Sequence, residues 1–281
     1  MKKLLGSVLA AVLLITSAGC VSSNSADSKT TASETTAEKM TDVSTTEQAS
    51  AESVELSIFA AASMTETLAQ IKTKFEAENS GITLVFNLDS SGTLKTQIEE
   101  GAEADIFISA AQKQVDGLAE GGYISEETRK NILENKVVLI VPEGSDKGIA
   151  SFEDCATEKV GLIALGNSDV PVGQYSEEIF TYLKLWDAVA AKASYASTVK
   201  EVLSQVENAS VDCGVVYATD AAAASGVKVV CEAAADTHSP VVYPAAMLTA
   251  SKNAEAAKKF LDYLSSDDAK AIFEAAGFTT I

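Results

Sequence analysis

The chain has 281 residues, which is room for one large domain or two lobes behind an N-terminal leader. With 40 Asp and Glu against 21 Lys and Arg, its formal net charge is −19, which argues against nucleic acid and polyanionic partners. There is one histidine, His238, one arginine, Arg129, and no CxxC or Cys/His spacing among the four cysteines, so the chain offers no metal-site pattern and no convincing catalytic triad.

The first 19 residues of MKKLLGSVLAAVLLITSAGC have the layout of an export signal: a Lys-Lys start, an apolar run from Leu4 to Ile15, then small residues. That run is too short for a comfortable membrane span. Ser17-Ala18-Gly19-Cys20 resembles the lipobox of bacterial lipoproteins, which implies cleavage before Cys20 and acylation of its thiol, so the membrane is met only through a lipid anchor. Residues 20–53 are poor in apolar side chains and rich in Ser, Thr and Glu, and read as a flexible tether. The folded part therefore starts near Val54 and carries most of the negative charge. A small anion in a crevice remains compatible with it, because surface charge is screened within about 8 Å at physiological ionic strength while oriented dipoles act locally.

From Val54 onward short apolar runs alternate with helical patterns. VELSIFA (54–60) reads as a strand leading into Ser63 and Glu66, spaced as a capping box, and Met64, Leu68, Ile71 and Phe75 predict a helix over 64–77. Strands follow at 82–88 and 105–110, with helices at 92–100, 111–120 and 126–133. Arg129 falls in the last of these patterns. Strands at 136–141, 160–165, 212–218 and 227–232 then alternate with helices at 174–186, 198–207 and 219–225. A strand at 240–248 and helices at 253–265 and 267–276 complete the chain, with Gly277 as a stop. The pattern predicts an α/β class with mostly parallel sheets flanked by helices, in which ligands bind beyond the carboxyl ends of the strands.

The residues at those ends are neutral donors. They comprise Ser63, Ser90-Ser91-Gly92-Thr93, Pro171-Val172-Gly173, the second capping box Thr198-Val199-Lys200-Glu201, and Tyr217 at the end of GVVY. Each taken alone reads more readily as a plain cap, a turn or a sheet-end aromatic than as a binding group. Cys155, Cys213 and Cys231 read as buried thiols, with Cys213–Cys231 the one bridge to check. His238, beside Ser239-Pro240, reads as a hinge or surface residue.

FAAAS, SSGTL, ADIFISA, VPVGQY and GVVYATDAAAASGVKVV, in this order and spacing, resemble the molybdate-binding proteins of bacterial ABC importers from about Val54 to the C-terminal Gly-Phe. The resemblance implies a two-lobed, type II-like periplasmic-binding-protein fold, with lobe one at 54–135 plus 239–281 and lobe two at 136–238. It implies a molybdate or tungstate ion in the interlobe cleft, held by hydrogen bonds from Ser63, Ser91, Val172, Val199 and Tyr217, with no side chain on the metal and no cofactor. Partners implied are an ABC permease with its ATPase, the protein being an extracytoplasmic, membrane-anchored monomer. Gly92 departs from the hydroxyl residue common in relatives, and Asp89 is expected to turn away from a dianion. A receptor for sulfate, phosphate or an organic acid, a secreted hydrolase and a structural lipoprotein are the alternatives. The alanines of FAAAS would leave room for a compact ion.

Overall fold

The computed structural model describes residues 53–281. The expected export signal over 1–19, Cys20 and all but the last residue of the 20–53 tether lie outside the described residues.

The chain first runs through β1 (Val54–Ala61), α1 (Thr65–Glu78), β2 (Ile82–Asp89), α2 (Ser91–Glu99), β3 (Ile106–Ile108), α3 (Gln112–Glu120) and β4 (Lys130–Glu134). It then crosses into β5 (Val137–Pro142), β6 (Ile163–Gly166), α4 (Pro171–Tyr182), α5 (Trp186–Ala190), β7 (Ala193–Ala196), α6 (Val199–Glu207), β8 (Cys213–Tyr217), α7 (Ala218–Ala223) and β9 (Val227–Glu232). It returns through β10 (Val242–Met247), α8 (Ala254–Tyr263), α9 (Asp267–Ala275) and β11 (Thr279–Thr280). Two sheets result, ordered β11-β4-β10-β3-β1-β2 and β7-β6-β8-β5-β9, and each is the centre of one lobe.

Both faces of the first sheet are covered, which is why β1 buries consecutive residues instead of alternating ones. Leu56, Ile58, Ile106 and Ile108 join Leu68, Ile71, Phe75 and Phe260 on one side, while Phe59 and Phe107 pack with Leu94, Ile98, Val115 and Leu118 on the other. The sheets are mixed rather than mostly parallel. β2-β1-β3 and β7-β6-β8 are parallel triplets. β10 and β5, the strands that carry the chain between lobes, enter beside them antiparallel. The two crossings run side by side, the Asn135 amide donating to the Val241 carbonyl at 3.0 Å.

Two local expectations are corrected, and the reading of the cysteines as thiols holds. The helix expected over 126–133 is a 3-10 turn at Glu126–Thr128 followed by β4, because Ile132 and Leu133 are both buried between β10 and β11 in a sheet that local pattern does not reveal. The single helix expected over 174–186 begins at Pro171 and breaks at Lys184, whose φ of 62° lets the Leu185 and Lys184 amides reach back to Phe180 and Thr181. Cys213 is not joined to Cys231. Its Sγ lies 4.0 Å from that of Cys155, and all three cysteines are thiols. Gly277 does end the last helix, at φ 95°.

Candidate functional site

Five parallel strands end where a helix begins, and the turns from β1, β2, β6, β7 and β8 face one small cavity. Its wall is formed by Ala61, Ala62, Ser63, Asp89, Ser90, Ser91, Ala110, Val170, Pro171, Val199 and Tyr217, from both lobes, and it leaves about 10 Å³ for the centre of a water-sized sphere. A crevice of about 770 Å³ opens nearby between α2, α3 and α4, but its wall mixes Lys95 and Lys113 with Asp116, Glu120, Asp169 and Glu178. That space is too wide to grip a compact ion on all sides.

Ser63 does not cap α1, contrary to the capping-box reading. The helix is entered through a 3-10 turn at Ala62–Met64, the cap position falls on Met64, and Glu66 is drawn to the opposite lobe. The Ser63 hydroxyl instead lies 2.9 Å from the Tyr243 hydroxyl, which also receives the Asn135 side-chain amide at 3.3 Å. With Asn135 donating to it, Tyr243 is free to donate to Ser63, which leaves the serine proton for the cavity.

At the start of α2 the work is divided between neighbours. Ser90 is the cap, accepting from the Thr93 amide at 3.1 Å. Ser91, fully buried, accepts from the Ala110 amide at 3.0 Å, so its own proton points elsewhere. Tyr217 ends β8 with its hydroxyl buried and unpartnered among the described residues. Burial, followed by the neighbouring Tyr243, Tyr175 and Asp220, holds its pKa well above the ordinary phenol value, so it stays a donor.

The backbone adds further donors. The amides of Ser91, Val172 and Val199, in the first turns of α2, α4 and α6, have no acceptor among the described residues. Thr198 caps α6 by accepting from Glu201, as its sequence suggests, although Glu201 reaches back to Ser197 rather than to Thr198. Ser63, Ser91, Val199 and Tyr217 thus come together at the cavity. Val172 does not form its wall, which is made there by Val170 and Pro171, the residue that precedes the Val172 amide. Gly173 lets this end of α4 approach β6, since a Cβ there would stand 2.3 Å from the Gly166 oxygen.

Asp89, expected to turn away, contributes to the wall, with Oδ1 accepting the Ser90 amide at 2.7 Å. Gly92 has a different task from the hydroxyl residue it replaces. Its amide donates across the cleft to the Asp169 carbonyl at 2.9 Å, and a Cβ would lie 2.2 Å from that oxygen. Sequence reasoning missed Tyr243, Ala110 and Asp169. Tyr243 and Asp169 lie in no motif, Ala110 ends ADIFISA but acts through a backbone amide that its side chain does not advertise, and Tyr243 reaches Ser63 only because β10 returns to the first sheet 180 residues later. His238 lies at the second crossing, Nδ1 2.7 Å from the Ser239 oxygen, far from these hydroxyls in role.

A family model described as bacterial extracellular solute-binding protein matches residues 56–279. The chain is 43% identical over 231 residues to the putative ABC transporter substrate-binding lipoprotein YvgL of Bacillus subtilis, spanning 82% of this chain and 88% of that one. It is 40% identical over 233 residues to the molybdate-binding protein ModA of Haemophilus influenzae, spanning 82% and 91%. Among solved structures, the substrate binding domain of a putative molybdenum ABC transporter from Clostridium difficile superposes with a TM-score of 0.64 at 40% identity, over 82% of this chain and all of that one.

Proposed function

The chain belongs to the bacterial extracellular solute-binding proteins, and from that membership we propose that it captures molybdate or tungstate outside the cytoplasmic membrane and delivers the ion to an ABC permease with its ATPase. The observation that carries this reading is the buried, unpartnered hydroxyl of Tyr217, facing the same tight cavity as Ser63 and Ser91. A buried donor left unpaired is costly, and an anion at this point would satisfy it. The site would consist of those three hydroxyls with the backbone N–H groups of Val172, Val199 and Ser91.

The donor chemistry fits a dianion without a proton. Molybdate and tungstate at neutral pH accept from every side, and each charge-assisted hydrogen bond contributes roughly 1.5–3 kcal/mol. Helix N-termini add partial positive charge without any lysine or arginine in the wall. Asp89 favours a second reading, hydrogen phosphate, because its remaining carboxylate oxygen could accept that ion's proton. We place the balance with molybdate, since the other wall groups are donors. A rise in melting temperature with molybdate or tungstate, well beyond that with equal sulfate or phosphate, is the expected result. Equal rises with all four would count against the assignment.

The remaining architecture is proposed on the same footing: export by residues 1–19, acylation at Cys20, a tether over 20–53, lobe one at 54–135 plus 239–281, lobe two at 136–238, and action as a membrane-anchored monomer that binds no nucleic acid. The work is binding and release, with no catalytic residue assigned.

A further inference from the structure

Just outside the cavity wall, one ammonium group joins three helices. Lys200 follows Val199 on α6, and its Nζ lies 2.8 and 3.0 Å from the two carboxylate oxygens of Glu66 on α1, in the opposite lobe. The same Nζ is 3.1 Å from Oδ1 of Asp220 on α7, within its own lobe. Glu66 stands three residues after Ser63, and Asp220 three residues after Tyr217. The three helices tied to Lys200 thus start at, or within two residues after, a residue of the cavity wall: α6 at Val199, α7 just after Tyr217, and α1 two residues after Ser63.

The two legs of this bridge differ in kind. Asp220 is fully buried, and neither of its carboxylate oxygens accepts an aligned hydrogen bond among the described residues, so Lys200 is its one close counter-charge there. Burial fixes the lysine in place on that side. Glu66 is about half exposed and belongs to the other lobe, so this second leg forms when the lobes come together and is lost when they part. A lysine anchored in one lobe and reaching a carboxylate of the other favours closure of the two. Lys200 is not itself part of the cavity wall.

We propose that Lys200 is a positioning residue for anion retention: anchored by Asp220, it clasps Glu66 across the cleft and holds the first turns of α1, α6 and α7 in register around the ion. The inference rests on the anion reading above. Opening precedes release, so the interlobe leg should govern the release rate and leave capture nearly unchanged. An exposed ion pair acts weakly and is screened by salt.

The test is release of radioactive molybdate from the full chain, chased with unlabelled molybdate at low and high salt. Glu66→Gln removes the interlobe leg and keeps Lys200 on Asp220. It should release about two- to five-fold faster at low salt and at the wild-type rate at high salt. In a Lys200→Met background, Glu66→Gln should add nothing, the Asp220 leg being lost in both arms, and Lys200→Arg should retain most of the wild-type behaviour. If Lys200→Met does not fold, the Glu66→Gln comparison still decides. Release by Glu66→Gln at the wild-type rate, or acceleration equal at both salts, would overturn the clasp. A wild-type chain that retains no molybdate would overturn the anion reading instead.

Discussion

At the residue scale, Tyr217 and Ser91 invite opposite expectations for stability and the same one for binding. Tyr217→Phe deletes a buried hydroxyl that has no partner among the described residues. Molybdate affinity should fall by roughly 1.5–3 kcal/mol, about 10- to 150-fold, while the ligand-free melting temperature holds or rises. Ser91→Ala should lose a similar affinity and also destabilise the free protein, because the Ala110 amide loses its acceptor. Ser63→Ala should destabilise through Tyr243, which loses its hydroxyl partner, and not through a lost helix cap. Val199→Ala keeps its amide and should bind nearly as the wild type. Calorimetric titration with ligand-free melts separates all four. These positions were legible because strand-end serines and a terminal tyrosine stand out in order. The hydrogen bonds that aim them were not, since Tyr243 and Ala110 come from distant segments.

At the scale of elements, closure and charge can be probed apart from the wall. Gly92→Ala puts a methyl 2.2 Å from the Asp169 oxygen, backbone against backbone, so neither side can rotate away. The variant should melt normally without ligand yet bind molybdate at least about tenfold more weakly, since the lobes cannot meet at that point. Normal affinity would show that the contact is dispensable. Asp220 gives a pH signature. Burial is the main cause that pushes its pKa up to about 6, against which Lys200 works in the other direction. The folded state thus holds this proton more tightly than the unfolded chain, and stability from this group falls as pH rises from about 4 to 6 and is level above. Asp220→Asn should flatten the melting temperature across that window, and an unchanged slope would remove Asp220 from the account. Helices with strong apolar periodicity, such as α1 and α6, were readable from sequence. β4 was not, because two adjacent buried residues in a short run fit helix and strand alike until the returning β10 pairs with them. β7 escaped for a related reason: it is a four-residue edge strand, Ala-Ser-Tyr-Ala, of which only Ala196 is buried, so it has no apolar alternation to reveal it.

At the scale of the whole molecule, the sequence motifs carried the two-lobed class, while the mixed strand direction was not legible, because β10 and β5, the strands that follow the crossings, enter each sheet antiparallel to its triplet and no local pattern records direction. Those crossings, joined through Asn135 and Val241, are where the lobes would hinge. The proposed anchor is testable separately. Cys20→Ser should leave the membrane fraction or stall unprocessed, and normal cleavage with full membrane retention would point to another anchor. The central claim is that a strongly acidic protein holds a dianion by neutral donors alone, in a tight cavity between the lobes. Isothermal titration of the wild-type chain with molybdate, tungstate, sulfate and phosphate, at one pH and ionic strength, tests this most directly. The account predicts comparable, tight binding of molybdate and tungstate, with sulfate and phosphate weaker by orders of magnitude. Tighter binding of phosphate or sulfate would contradict it, and a preference for phosphate would turn attention to the free oxygen of Asp89.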